Sequence, residues 1–598
     1  MKKLLIHNNN TFLNQTDYFN IEEQFVFGFN TDNVEIDKII QKELTTGTLI
    51  GKIMQSDVLF IKISLSKNYL EYLGIRLAYH IRLTLELNDK STIPIVFVAE
   101  EDLQFVGITS EIPSLLFTRG IYFMKDDVDG FNTYKNLIEQ KKLNGSVALD
   151  LFKKKISLPA PNNYSSHHSI DNELALLTWS EYIGCFDDLP FKKLEFHNSL
   201  YYKLYKGNEE FGEHKQTLRE ILNKGKILLI DDEFDKGWHV FYKSLFKENE
   251  GIVFDSVHLD YKKIEKDEII LESSSKIEKF NPDVVILDLR LSEKDFNENI
   301  GSDELTGYKI LQFIKNYNKG IRVIIITASN KSWNFNALQN IGANDYVTKS
   351  IDQNSYDKLN FIKKSLDNNL ELSHFLKKSY NRINKLKKIL KNQEYHKKNK
   401  FKDFYKSSIR NLEVSFEMLE NVSKESKYLN YAYLQLFLII EEYLSNDLFF
   451  VEGRKKSHVI NNKHIRVLEY VEEDRESYKY YNSSISYKNY KYSIVKEIIK
   501  FRKIDVNYKM SAILIYRFGF SDSKVLKWKD ILNLRNSKAA HAGGENAIIK
   551  NEIIMILDFI AFILDEDNAN DKNINKSLDM SMGDKIGLLS KKYPKRHK

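Results

Sequence analysis

KILLIDDE, residues 226–233, is an apolar run that stops on three consecutive acids. A short apolar run bounded by charge reads as a buried strand. The same shape recurs downstream at GIVFDSV (251–257), DVVILDL (283–289), RVIIITA (322–328) and DYVT (345–348). Amphipathic helical patterns separate these runs, which predicts a parallel sheet with crossover helices. In such a sheet the strand C-termini converge on one edge, where ligands bind. The residues carried there are Asp231, Asp232 and Glu233, then Asp288, Thr327 and Lys349. Topology thus gathers aspartates, a hydroxyl and an ammonium that lie far apart in the chain.

That set suits phosphoryl transfer to a carboxylate. Two acidic side chains can hold Mg²⁺, which keeps waters and takes phosphate oxygens as its other ligands. Asp288 is the candidate nucleophile, forming an acyl phosphate. Lys349 and the metal would neutralise the transferring group, with Thr327 donating a hydrogen bond to it. The plainer reading is an acidic strand-end cluster in an inactive α/β domain.

LLIDDE (228–233), VILDLRL (285–291), ITA (326–328) and YVTK (346–349) together resemble the receiver domain of two-component response regulators. The resemblance implies a flavodoxin-like, doubly wound parallel sheet. It implies Mg²⁺ held by Asp231, Asp232 and Asp288, and phosphorylation of Asp288 by a sensor histidine kinase or phosphotransfer protein. Thr327 and Lys349 would then read the phosphoryl group, and Tyr346, three residues before the lysine, would change rotamer. Two departures stand out. Ser350 occupies the position where the family has a cis proline, and a cis bond without proline costs about 3–4 kcal/mol, so a trans loop is expected. The loop from Ser292 to Thr306 is also longer than usual.

Residues 1–155 carry a similar alternation, with strand-like runs LLI (4–6), QFVFGF (24–29), VLFIKI (58–63), PIVFVA (94–99) and IYFM (121–124). DVLFIKISLS (57–66) aligns without gaps on DVVILDLRLS (283–292). LGIRLAYHIR (73–82) follows TGYKILQFIK (306–315), with Gly74 opposite Gly307, and YFMK ends in Lys125 as YVTK ends in Lys349. On this alignment Lys62 stands for Asp288, His7 and Asn8 for Asp231 and Asp232, and Val98 for Thr327. No acceptor carboxylate and no magnesium site remain. A degenerate pseudo-receiver kept for docking or dimerisation is expected; the alternative is that the Lys62 ammonium mimics a metal's charge.

Between the two copies, 156–223 reads as a linker with connector helices. It opens on SLPAPNNYSSHHS, and His167, His168 and His197 lack metal-ligand spacing, so solvated histidines are expected. The receiver is assigned to 224–370 and a basic helical linker to 371–400. Leu376, Ile383 and Leu390 recur every seven positions, with Leu372 and Leu386 between, so a short coiled coil or an extended helix is expected. Its lysines, from Lys377 and Lys378 through Lys400, suit either RNA phosphates or an ordinary solvated face. Residues 401–566 read as wholly helical, and 567–598 as a loose basic tail.

The stretch KDILNLRNSKAAHAGG (529–544) places Arg535 and His541 about a turn and a half apart on a helix that Gly543 and Gly544 end. It resembles the motif of the HEPN superfamily of helical bundles, many of them metal-independent ribonucleases. The resemblance implies that His541 handles a proton at the 2′-hydroxyl or leaving oxygen, that Arg535 stabilises the phosphorane, and that Asn536 orients the site. It also implies a homodimer with RNA as partner; Glu441 and Glu442 are weaker supporting acids. A non-catalytic, protein-interaction output is the alternative.

The chain has 598 residues, and at about 150 residues per domain it holds roughly four folded units. Lys+Arg 89 against Asp+Glu 83 leaves +6, too little for a nucleic-acid coat. One cysteine excludes a disulfide scaffold. YAYLQLFLII (431–440) runs into Glu441 and Glu442, and EIIMILDFIAFIL (552–564) is split by Asp558, so neither spans a membrane. With no signal peptide in MKKLLIHNNN, a cytoplasmic response regulator without membrane contact is the expected whole. A transcription regulator ranks third, since no helix-turn-helix pattern is evident.

Overall fold

The computed structural model describes residues 1–8, 21, 23–27, 33–66, 68–140, 143, 152, 156–158, 170–194, 196–208, 217–296, 301–328, 338–349, 355–396, 402–423, 425–445, strands between 449 and 500, 506, 509–510, 513–514, 522–540 and 547–573. His541, His167, His168 and Ser350 lie outside the described residues.

The first unit contains β1 (Lys3–His7), β2 (Glu23–Val26), α1 (Asn33–Thr45), α2 (Thr48–Gln55), β3 (Val58–Lys62) and α3 (Leu73–Leu83). It continues through β4 (Ile95–Ala99), α4 (Leu103–Thr109), β5 (Ile121–Lys125) and α5 (Val128–Glu139). Its strands form a five-stranded sheet ordered β2-β1-β3-β4-β5, every pair parallel. Connector helices α6 (Ile170–Tyr182) and α7 (Leu200–Asn208) follow.

The second unit repeats the plan with β6 (Gly225–Ile230), α8 (Trp238–Leu245), β7 (Ile252–Ser256), α9 (Lys266–Phe280), β8 (Val284–Leu287), α10 (Thr306–Tyr317), β9 (Arg322–Thr327) and β10 (Asp345–Thr348). The sheet order is β10-β9-β8-β6-β7, again all parallel. In both units the first strand lies between the second and third, the flavodoxin-like order whose switch point marks the ligand edge.

Strand alternation sorts the side chains into two cores. Leu228, Ile230, Val285, Leu287, Val323 and Ile325 face Ile269 and Ile277 of α9 and Ile310, Leu311 and Ile314 of α10. Their neighbours Ile227, Leu229, Val284, Ile286, Ile324 and Ile326 face Phe241 of α8 and the start of the next long helix. The connector joins this second core through Leu174, Leu177 and Trp179. Each fully buried aliphatic side chain contributes about 1.5–3 kcal/mol, so a sheet covered on both faces is held by burial more than by its ladder.

The long helix is α11 (Ser355–His396), unbroken across the expected border at 370. Of the two sequence expectations for this stretch, the extended helix is what forms. Leu376, Ile383, Leu386 and Leu390 insert into a bundle core with α12 (Lys402–Glu420) and α13 (Tyr428–Ser445). Lys377 pairs with Asp283 at 2.8 Å, Lys385 with Asp565 at 3.8 Å, and Lys387 with Glu413, so much of the basic face is engaged within the chain.

The expectation of an all-helical 401–566 needs correction. Strands β11 (Phe449–Glu452), β12 (Lys456–Asn461), β13 (Lys463–Tyr470) and β14 (Ser477–Tyr480) form an antiparallel sheet closed by β17 (Ile498–Lys500). β15 (Ser484–Lys488) and β16 (Lys491–Val495) make a separate hairpin. This segment is rich in tyrosine and isoleucine alternating with polar residues, a period-2 pattern that favours strands. The helices resume at α14 (Asp522–Leu534) and end with α15 (Lys550–Asn573). No helix among the described residues is long and apolar enough to cross a membrane.

Two glycines confirm the internal duplication. A Cβ at Gly307 would stand 2.3 Å from the carbonyl oxygen of Asp288, and one at Gly74 would stand 2.3 Å from that of Lys62. Each glycine N–H donates to the next carbonyl along, Leu289 at 3.0 Å and Ile63 at 2.9 Å. Gly307→Val is therefore expected to lower the melting temperature, at a cost of about 1–3 kcal/mol from forced backbone movement. Gly51→Ala, with nothing within 4 Å, is expected to stabilise by about 0.5–1 kcal/mol. Differential scanning calorimetry of the two variants checks both signs.

Candidate functional site

β6 ends at Ile230 and delivers Asp231 and Asp232, while β8 ends at Leu287 and delivers Asp288. Ile230 pairs with Leu287, so the two strands terminate level with each other. Among the described residues, Asp231, Asp232 and Asp288 form the one group suited to a metal ion, with a carboxylate oxygen from each within 4.8 Å of the others. An oxygen-only donor set of this size fits Mg²⁺.

Lys349 follows β10 and closes the site from the other side. Its Nζ donates to Asp231 Oδ2 at 2.7 Å and to Asp288 Oδ2 at 2.8 Å, and the residue has no exposed surface. The other carboxylate oxygens are held by backbone: Glu233 N–H donates to Asp231 Oδ1 at 2.9 Å, and Leu289 N–H to Asp288 Oδ1 at 2.6 Å. Lys349 N–H donates to the Thr327 carbonyl at 2.8 Å, which ties the ends of β9 and β10 together. Thr327 is buried and Tyr346 half-buried at the same edge.

Charge crowding and burial displace the pKa values of these groups. Burial pushes Asp231 up to about 6, with Asp288 and Glu233 adding to the rise and Lys349 opposing it. Asp232 is held well above the usual carboxylate range by burial and by the neighbouring acids. Burial works against the Lys349 charge, but Asp231 and Asp288 outweigh it and raise the ammonium above its ordinary value. Burial and Asp288 raise the Tyr346 phenol to about 12, so it stays protonated.

The long loop after Asp288 is organised by Asp295, which has no exposed surface. Its carboxylate accepts from the backbone N–H groups of Leu291, Ser292 and Thr306 at 3.0–3.1 Å and from Lys266 Nζ at 3.2 Å. Between this loop and the strand ends lies a cleft of about 310 Å³, lined by Asp232, Tyr261, Ser292 and Phe296 among others. Asp295 was not legible in advance, because loop anchoring leaves no spacing signature.

In the first unit the same positions carry opposite charge. Lys62 Nζ meets Asp126 Oδ2 at 2.7 Å, both side chains buried. The ladder keeps Lys62 opposite Asp288 but corrects two of the other matches by one residue. Lys62 pairs with Val98 as Asp288 would continue onto Ile326, so Ala99, not Val98, matches Thr327. Asp126 N–H donates to the Ala99 carbonyl at 2.8 Å, just as Lys349 does to Thr327, so Asp126, not Lys125, matches Lys349. The pair Asp288–Lys349 thus reappears as Lys62–Asp126 with its signs exchanged. His7 and Asn8 take the places expected of them, His7 contacting Gln24 at 3.2 Å and Asn8 the Ser66 carbonyl at 3.3 Å.

Of the other candidates, Arg535 and Asn536 are described. They lie on a π-helical turn, Arg535–Ala539, that continues α14. Arg535 approaches Glu441 at 3.6 Å, stacks over Phe437 at 5.6 Å and donates to Asn536 Oδ1 at 3.0 Å. Glu442 accepts instead from Ser407 at 2.8 Å. His197, expected to be solvated, is half-buried beside Phe191 at 5.1 Å, and burial lowers its pKa.

Residues 8–124 match the family described as the inactive receiver domain, and residues 258–359 the response regulator receiver domain. The second match begins after β7, so Asp231 and Asp232 join it through sheet topology. Among solved structures, the chain is similar to a response regulator receiver domain protein (CheY-like) from Methanospirillum hungatei JF-1. That match has 20% identity over 25% of this chain and 98% of the other, with a TM-score of 0.18. It is similar to the Francisella response regulator 1452 receiver domain, with 26% identity over 24% and 99% and a TM-score of 0.17. A two-component response regulator of the LuxR family from Aurantimonas sp. SI85-9A1 matches at 23% identity over 22% and 76%, with a TM-score of 0.16. No curated protein matches the chain.

The raised Asp231 pKa fixes a sign. Between its ordinary value of 3.8 and about 6 the folded state binds more protons than the unfolded one. Stability from this site is therefore greatest below that window and is lost as pH rises through it. A divalent cation competes with those protons. The gain in melting temperature on adding Mg²⁺ should be larger at pH 8 than at pH 5; equal gains would contradict the assigned cluster.

Proposed function

We propose that this chain, which carries an inactive receiver-type domain ahead of a response-regulator receiver domain, is a two-component phosphorelay regulator that accepts its phosphoryl group on Asp288. The observation that supports this is the meeting of Asp231, Asp232 and Asp288 within 4.8 Å, with Lys349 bridging two of them. Receiver domains work with histidine kinases or phosphotransfer proteins, so the partner is a phosphohistidine donor.

The three aspartates would hold Mg²⁺, which when bound supplies charge neutralisation at the transferring group. An Asp288 carboxylate oxygen attacks phosphorus. The phosphorus–nitrogen bond to the donor breaks, and its electron pair returns to the donor imidazole. Lys349 turns its ammonium from Asp288 Oδ2 to a phosphoryl oxygen, and Thr327 donates its hydroxyl. Tyr346, at the same edge, repacks in response.

The change reaches the output through α11, which is fixed to the base of the receiver. Ser373 Oγ donates to the Asp283 carbonyl at 2.6 Å, and Gly320 lies so close to the Lys377 backbone that a Cβ there would stand 2.3 Å away. The output beyond residue 401 we assign as a HEPN-like, metal-independent ribonuclease using Arg535, His541 and Asn536, working as a homodimer on RNA. A second reading, a non-catalytic interaction domain, is favoured by the contacts of Arg535 with Glu441 and Phe437 inside the chain. We place the protein in the cytoplasm.

Acetyl phosphate with Mg²⁺ should add one phosphate to the wild type and none to Asp288→Asn; equal incorporation contradicts the acceptor assignment. For the output, His541→Ala should slow RNA cleavage by about 10²–10⁴-fold, the usual contribution of a general acid or base. Unchanged cleavage, or none in the wild type, selects the interaction reading.

A further inference from the structure

The Lys349 ammonium touches more than carboxylates. It lies 4.7 Å from the centroid of the Trp238 ring, the residue that opens α8. The indole N–H of Trp238 donates to Asn172 Oδ1 at 3.1 Å, and the Asn172 amide nitrogen donates to Glu233, next to the paired aspartates. Asn172 belongs to connector helix α6, ahead of the five-stranded unit in the chain. Trp238 and Lys349 have no exposed surface and Asn172 has 5%.

The connector is pressed against this point. Gly237 has φ +141°, and a Cβ there would stand 2.9 Å from the Leu176 side chain of α6. Trp179 of the same helix packs edge-on against Trp238 at 5.7 Å.

We propose that Trp238 and Asn172 are positioning residues for phosphotransfer, so that the site is completed by a helix lying outside the receiver fold; this rests on Asp288 being the acceptor. A lysine head on a four-carbon stem has many rotamers and is attracted to an aromatic face most strongly where water is excluded. The ring offers its face to the ammonium, and the hydrogen bond to Asn172 restrains the ring. When Lys349 leaves Asp288 Oδ2 for a phosphoryl oxygen, the ring keeps its path short.

The test uses the full chain and phosphate uptake from acetyl phosphate, varied in donor and in Mg²⁺. Trp238→Leu removes the aromatic face, Trp238→Phe keeps it without the N–H, and Asn172→Ala removes the partner. The maximal rate should fall about tenfold in Trp238→Leu and recover to within about threefold of wild type in Trp238→Phe, with Asn172→Ala between them. Half-saturating donor and Mg²⁺ should stay within about twofold, because Lys349 acts on the transferring group and not on binding. A wild-type rate in Trp238→Leu and Asn172→Ala, or a Phe variant as slow as Leu, overturns the proposal and leaves Asp288 as acceptor. A wild type that takes up no phosphate overturns both.

Discussion

A parallel sheet forces its strand ends together, and here that constraint crowds three carboxylates into a space of 4.8 Å. Like charges so close and so buried oppose folding unless something neutral or positive intervenes. Lys349 is that element, bonded to two of the three with no water between. Removing one member of such a buried pair typically costs about 3–5 kcal/mol, because a bare charge is left behind. The same ammonium is what the chemistry needs near a transferring phosphoryl group. Stability and reactivity therefore draw on one contact, and the third aspartate, facing the cleft, keeps the site receptive to a cation.

The first unit shows how the same fold behaves once that tension is removed. Lys62 and Asp126 pair one to one at 2.7 Å, both buried, in place of the crowded carboxylates of the second unit. It shares the strand order, and its glycine presses on the equivalent carbonyl. What differs is a pair of side chains with their signs exchanged, with His7 and Asn8 in place of the two acids and Ala99 in place of Thr327. Connector helix α7 ties this unit to the rest through Lys203, which reaches His80 Nδ1 at 3.0 Å and Thr84 at 2.9 Å, while Tyr202 of the same helix bonds Glu181 of α6 at 3.0 Å. The inactive copy thus packs onto the connector that also touches the Trp238 ring.

The sheets and the aspartate cluster were legible because doubly buried parallel strands and their convergent ends are written in short apolar runs that stop on acids, such as KILLI and DVVIL. The position of Asp126 was not, because YFMK and YVTK share a lysine that invites a match one residue out of register; only the ladder bonds of Ala99 and Thr327 correct it. Asn172 was hidden for a different reason, since a lone asparagine in a connector has no spacing to its partner. The sequence Gly237–Trp238, one short turn after the acids, was the available hint: a glycine and a large ring at a helix start imply close packing there. The strands from 449 to 500 went unread because their apolar runs are short and broken by lysine and glutamate, a composition that an exposed helix also accommodates.

The account stands on the aspartates forming one cation pocket, and Mn²⁺ soaked into crystals of the full chain addresses this most directly, since the ion's anomalous signal marks its own position. A single peak is predicted within about 2.5 Å of carboxylate oxygens from Asp231 or Asp232 and from Asp288, a hard-cation distance. A peak bound elsewhere, or Asp288 turned away from the ion, would contradict it.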